Sequence, residues 1–313
     1  MPGFPFFQIP LLARFEILKH VDVYDLITLT FCSERTRALV ESANIPLNQL
    51  DFSFIGSDDV GILVNDDFYM AAQFTSIKDG HCKEAHKSVV IFDKNFRVKR
   101  VVLLPNAPVH GSLEKMLTDH LMRTFQKVKD VYVYTDRTGT QNFPVWKYRK
   151  AINNFTSCPV ETLSEEEINF ILQELTINRK LTICPPSVDG FRFSAGFQSE
   201  LVRIEQANWV HFDAILNSKS QKICLKGIEK PSVIQLNTML KLWMSIEKMK
   251  ELKVLQLELP SGEKFGDAFF TEVLDSIVHV RNLPEWAEIQ RIDGKVADVM
   301  LDGNTGIWFS TRD

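Results

Sequence analysis

"IPLLARFEILKHVDVYDLITLTFCS", residues 9–33, decides how this chain begins. On a helix at about 100° per residue, Leu11, Ala13, Phe15, Ile17, Leu18 and Val21 spread over roughly 200°, interrupted by Arg14. A helix resting on one core needs an apolar stripe of about 100° or a little more. This stretch carries more apolar surface than a single neighbour can cover.

The surrounding residues read as three short helices. Pro10 suits a helix start because it has no N–H to leave unpaired, and the pattern runs to about His20. Asp22 is placed to cap a second helix, Val23 to about Cys32, with Leu26 and Leu29 on one face. Ser33 is placed to cap a third, containing Arg35, Ala38, Leu39 and Val40, which stops before Asn44 and Pro46. Three helices in about 40 residues bury too little to be stable alone. The module must therefore lean on the rest of the chain or on a partner.

Residues 1–46 resemble an F-box, in the form seen in the large nematode F-box families. The resemblance is carried by Phe4-Pro5, Ile9-Pro10, Ile17-Leu18, Tyr24-Asp25-Leu26-Ile27 and Phe31-Cys32-Ser33 followed by Arg35. The general F-box pattern differs in two places: an acidic residue is common where Leu12 stands, and a tryptophan is common in the third helix. The resemblance implies docking on a Skp-type adaptor and, through it, on a cullin ubiquitin ligase. It makes Ile9, Pro10, Ile17, Leu18, Val21, Leu26, Leu29 and Cys32 the adaptor contacts. One apolar face would pack inside the module and another would meet the adaptor.

The 313-residue chain has room for two domains, and 45% hydrophobic with 24% charged residues describes a folded protein. A net charge of −4 makes no electrostatic case for nucleic acid or an anionic membrane. Five cysteines, odd in number and without a CxxC pair, fit a reducing compartment. No run approaches the ~18 apolar residues of a membrane span, and no positively charged leader precedes an apolar core. The cytoplasm or nucleus is the expected location, and the sequon Asn154-Phe155-Thr156 is expected to carry no glycan.

From Asp51 to Leu104 the pattern is strand-like, with Gly61–Val64, Phe68–Phe74, Ser88–Phe92 and Arg97–Leu104 divided by Asp58-Asp59, Asn65-Asp66 and Asp79-Gly80. A helix fits Ser112 to Lys127. Strand candidates then centre on Val131–Val133, Val160–Thr162, Leu181–Ile183, Val202–Ile204, Ile223–Leu225 and Leu255–Leu257, starting every 21 to 32 residues. Helices are expected over Glu165–Leu175, Asn208–Leu216 and Ser232 to about Ile246. Ser164 with Glu167 reads as a capping box, which makes the run Glu165-Glu166-Glu167 helix-start chemistry. This rhythm predicts an irregular leucine-rich-repeat-like α/β domain without an asparagine ladder. Asp293-Gly294 predicts a C-terminal β-hairpin covering the last strand's edge.

The helix "LNTMLKLWM" (236–244), with Trp243, and the terminal Arg291, Asp293, Gly294 and Ala297 resemble the nematode F-box-associated domain of type 2. The expected organisation is an α/β protein, α+β overall: an F-box over 1–46, then an F-box-associated, repeat-like, substrate-binding domain over 47–313.

No phosphate loop, nucleophile elbow, HExxH or dinucleotide fingerprint occurs. His81, Cys82 and His86 lie close together but lack a second ligand cluster, so no metal and no cofactor are expected. His211 and His279 fall on helical apolar patterns, at the core or its rim. Strand alternation turns Val131, Val133, Leu181, Ile183, Val202, Ile204, Ile223, Leu225, Leu255 and Leu257 inward. It turns Tyr132, Tyr134, Arg203, Glu205, Lys222, Lys226 and Gln256 outward, where they can meet a protein target. The expected role is a non-catalytic substrate receptor of a Skp–cullin–F-box ligase. A Skp-bound scaffold or inhibitor, and an enzyme with a pocket in the α/β domain, remain open at this point.

Overall fold

The computed structural model describes residues 6–55, 59–64, 68–75, 86–93, 98–104, 113–184, 190–275, 277–283, 285–303 and 305–312. It is a mixed α/β protein whose described residues form two compact units. One is made by the residues up to Tyr134 with Asn142–Lys150, the other by Thr135–Gln141 with the residues from Ala151 onward.

The first unit opens with a 3₁₀ turn, Phe6–Gln8, and three helices: α1 (Leu11–Lys19), α2 (Val23–Cys32) and α3 (Glu34–Ala43). Ser33 caps α3 through Thr36, and the helix ends at Asn44 in the left-handed conformation. Strands β1 (Leu47–Ile55), β2 (Asp59–Val64), β3 (Phe68–Thr75), β4 (His86–Asp93) and β5 (Val98–Leu104) follow as an antiparallel meander. Helix α4 (Leu113–Thr124) comes next, and β6 (Val128–Thr135) flanks β1 on its other edge. Leu50, Phe52, Phe54, Leu117, Leu121 and Val131 are all wholly buried and form the core. Leu47 begins its strand by donating to Lys127 O at 3.0 Å. The strand-like region thus starts at Leu47, earlier than Asp51. The expected breaks at Asn65-Asp66 and Asp79-Gly80 lie outside the described residues.

The second unit is built on five parallel strands: β7 (Ala151–Ser157), β8 (Thr176–Ile183), β9 (Leu201–Ile204), β10 (Lys222–Lys226) and β11 (Val254–Glu258). The chain then turns the sheet antiparallel. β15 (Gly306–Thr311) pairs with β11, and β14 (Val296–Asp302), β13 (Trp286–Gln290) and β12 (His279–Leu283) extend it. Between the strands lie α5 (Glu165–Asn169), continued by a π-turn over Phe170–Glu174, then α6 (Phe212–Leu216), α7 (Val233–Met244) and α8 (Phe269–Leu274). Leu181, Ile183, Val202, Ile204, Ile223, Leu225, Leu255 and Leu257 are buried, as alternation requires. Trp243 of α7 meets Phe309 of β15 edge-on at 5.0 Å, which places that helix on the same buried face.

The reading differs from this structure at definite places. The strand expected at Val160–Thr162 is instead β7, where Ile152 and Phe155 are buried while Val160 is 90% exposed. Pro159 has no N–H to continue a ladder, so the segment after it leaves the sheet. The helix expected from Asn208 begins only at Phe212. Before it, Gln206 is left-handed and Ala207 N donates to Lys226 O at 2.6 Å, which holds the chain in an irregular path. Ser164 and Glu167 do form the capping box. Glu167 is buried and also accepts from the backbone of Gly139 and Thr140, so it anchors a loop as well as a helix start.

Candidate functional site

A groove of about 720 Å³ opens among the N-terminal helices, lined by Phe6, Phe7, Ile17, Leu18, Val21, Leu29, Arg35 and Thr36, with Leu39 and Val40 behind them. Its walls are held by short local bonds. Thr36 Oγ1 donates to Leu29 O at 2.6 Å, which straps the start of α3 to α2. The Arg35 guanidinium stands 4.0 Å over the Phe7 ring, fixing the 3₁₀ turn against α3 by a cation–π contact. Leu18 is 1% exposed and forms the floor, whereas Ile17 is 40% exposed at the mouth. Leu11 and Leu12, at 49% and 77% exposed, continue the apolar surface along α1.

Four of the eight expected adaptor contacts line this groove: Ile17, Leu18, Val21 and Leu29. Ile9 is half-buried and Pro10 exposed ahead of α1. Leu26 is buried with Ile27 on the core side of α2, and Cys32 is exposed with its thiol on Thr28 O at 3.3 Å.

The other side of α2 is seated on α4. Phe31 stacks on His120 with ring centroids 4.1 Å apart. Thr30 Oγ1 lies 2.7 Å from His120 Nε2 and also donates to Ile27 O at 2.6 Å. Burial, followed by the nearby positive charge of Arg37, lowers the His120 pKa from 6.5 to about 4. The surplus apolar surface of residues 9–33 thus divides between α4 of the same unit and an open groove. Nothing in the sequence pointed to Phe31 as the partner of His120.

The expected target residues are divided between the two units. In the first unit Tyr132 is half-buried and Tyr134 is 39% exposed, while Val131 and Val133 between them are buried. In the second, Arg203, Lys222, Cys224 and Gln256 share the outer face of β9–β11, with Glu205 and Lys226 at the strand tips. Arg203 binds Glu205 at 2.8 Å, and Lys226 stands 3.6 Å from Glu205 and 3.7 Å from Glu258. Glu258 escaped the sequence reading, although alternation from Gln256 puts it on the same face. Cys184 has its pKa pushed up to about 12 by burial and then by a hydrogen bond with Cys158, so its thiol is a poor nucleophile.

Among the described residues no group of three or more His, Cys, Asp or Glu is placed to hold a metal ion, and no helix is long and apolar enough to cross a membrane. His81 and Cys82 lie outside the described residues, and of His86 only the backbone, at the start of β4, is described. His211 is the exposed cap of α6, its Nδ1 accepting from Asp213 N at 3.3 Å, and His279 opens a strand; neither lies within a helix.

No curated protein and no solved structure is significantly similar to the chain. Residues 6–48, which hold the groove, match the F-box domain family. F-box domains bind Skp-type adaptors in Skp–cullin–F-box complexes, and proteins that carry them are generally non-catalytic adaptors of these ligases. The chain carries an F-box domain at its N-terminus.

Proposed function

We propose that the chain is the substrate receptor of a Skp–cullin–F-box ubiquitin ligase, working in the cytoplasm or nucleus. The F-box over 1–46 docks the adaptor, with Ile9, Pro10, Ile17, Leu18, Val21, Leu26, Leu29 and Cys32 as its contacts. Residues 47–313, an irregular leucine-rich-repeat-like domain of the F-box-associated type 2 kind, capture a protein target. Tyr132, Tyr134, Arg203, Glu205, Lys222, Lys226 and Gln256 are the candidate target contacts. Catalysis belongs to other subunits: holding a target lysine near the charged E2 raises its effective concentration without a reactive group here.

The observation that carries the reading is the open apolar groove within the matched F-box, with Ile17 at its mouth. The nearness of Arg291 to Trp243, with the guanidinium 5.2 Å over the ring, supports the associated-domain reading because it joins the two motifs of that resemblance. The test is co-expression of the full chain with a Skp-type adaptor and a cullin, followed by assay of ubiquitin transfer to co-purifying protein. A cullin-containing complex that modifies a bound target is the expected result. An adaptor complex without cullin would instead identify a scaffold or inhibitor, and no adaptor complex at all would overturn the reading.

A further inference from the structure

Strands β7 and β8 are followed by the same dipeptide, Cys158-Pro159 after one and Cys184-Pro185 after the other. The parallel register pairs Thr156 with Thr182 and Ser157 with Ile183, and so brings Cys158 opposite Cys184. Cys184 N donates to Ser157 O at 2.8 Å, as that pairing requires, and Cys158 N donates to Thr135 O at 2.8 Å. The next donor in the β7–β8 ladder would be residue 159, and a proline has no N–H to give. The ladder therefore stops at the two cysteines.

Residues opposed on neighbouring strands are about 4.8 Å apart, inside the Cα separation of about 4.4–6.8 Å that a disulfide spans. Side chains at opposed positions share one face of a sheet, and here the two thiols are hydrogen-bonded to each other. Both are unbridged and half-buried, within reach of a small oxidant. Cys224, by contrast, stands opposite Arg203 of β9. In a reducing compartment a disulfide is usually transient, and serves catalysis or redox sensing.

We propose that Cys158 and Cys184 form a reversible disulfide in the folded protein when glutathione disulfide accumulates. Burial, and then the hydrogen bond with Cys158, pushes the Cys184 thiol up to about 12, so Cys184 keeps its proton and Cys158 attacks first. The Cys158 sulfur bonds to one sulfur of glutathione disulfide, the S–S bond breaks, and one glutathione leaves with the Cys158 proton. Cys184 then attacks the Cys158 sulfur from the adjoining strand, and the second glutathione leaves with the Cys184 proton. Two electrons pass from the cysteine pair to glutathione disulfide, giving one protein disulfide and two reduced glutathiones. The new bond closes the chain between 158 and 184, which contains α5, and removes that loop's freedom in the unfolded state.

Mass spectrometry of the full chain tests this, after equilibration with oxidised or reduced glutathione, alkylation of the remaining thiols and digestion with trypsin. Cleavage after Lys150, Arg179, Lys180 and Arg192 puts the two cysteines in separate peptides, 151–179 and 181–192. Oxidised glutathione should join these two peptides in most of the protein, and reduced glutathione should release them. Cys184→Ser should leave Cys158 as a glutathione adduct, whereas Cys158→Ser should leave at least about tenfold less adduct on Cys184. Absence of the joined pair under oxidation, its failure to reopen, or equal adducts in the two variants would overturn the proposal. The joined pair is read on the unaltered chain, so it is independent of any effect of the variants on folding, and neither adaptor nor target takes part.

Discussion

The Phe31 ring lies flat on the His120 imidazole, with planes 11° apart and centroids separated by 4.1 Å. Thr30 Oγ1 meets the same imidazole at Nε2, 2.7 Å away. Two consecutive residues of α2 therefore grip one side chain of α4, from the ring face and from the ring edge. The F-box helices are thereby packed into the first unit rather than tethered to it.

This grip makes the fold sensitive to acid. His120 titrates near 6.5 when unfolded and near 4 when folded, because burial, aided by Arg37, disfavours its charged form. Its contribution is fully present above pH 6.5 and is lost as pH falls from there toward 4, where the unfolded chain binds the extra proton. Urea unfolding should show a loss of about 2 kcal/mol between pH 7 and pH 5. That part of the pH dependence should disappear in His120→Gln.

Ile17 and Leu18 are neighbours of opposite exposure. Ile17→Glu changes a residue at the groove mouth and should alter stability by less than about 1 kcal/mol, yet reduce adaptor binding at least tenfold. Leu18→Ala empties a buried site and should cost about 2–4 kcal/mol. Calorimetric titration with the adaptor, set beside denaturant melts, separates the two effects.

The same contrast applies along β6. Tyr132→Ala with Tyr134→Ala should leave stability within about 1 kcal/mol per site and impair target capture. Val131→Ala and Val133→Ala should each cost about 1–3 kcal/mol, since both side chains are buried. Urea melts of both double variants beside a target pull-down decide it. If the tyrosine pair proves the more destabilising, β6 does not present those rings to a partner.

Arg291 is 8% exposed yet fully engaged: it forks onto Asp293 at 2.9 and 2.7 Å, donates to Lys250 O at 3.0 Å, and covers Trp243. Arg291→Ala should cost about 2–3 kcal/mol, because Lys250 O and the face of Trp243 lose their partner together. Arg291→Lys should recover only part of this, since an ammonium cannot reproduce the fork. Tryptophan fluorescence during urea unfolding gives both values.

Much of this was legible in sequence because it depends on residues close in the chain. The capping box at Ser164 and the helix cap at Ser33 close within three residues. The hairpin turn at Asp293-Gly294 is likewise local, with Gly294 at φ 89°. Strand alternation correctly turned the valines of β6 and the apolar pairs of β8–β11 inward, since their pattern repeats with the pleat. Periodicity misled where a local apolar cluster had no tertiary support, at Val160, and where a distant bond overrode helix preference, at Ala207.

By itself the sequence determined that residues 9–33 hold more apolar surface than one helix contact can use, and that the chain alternates strands and helices; both follow from short-range period and composition. Only the tertiary structure decided how that surface is divided. His120 lies 90 residues from Thr30, and no local pattern predicts which α4 side chain a helix so far away will clasp. The pairing of Cys158 with Cys184 is likewise a product of register: β7 and β8 must align before their ends can meet. Local sequence sets the character of each surface, while long-range packing sets which surfaces are spent inside and which stay open.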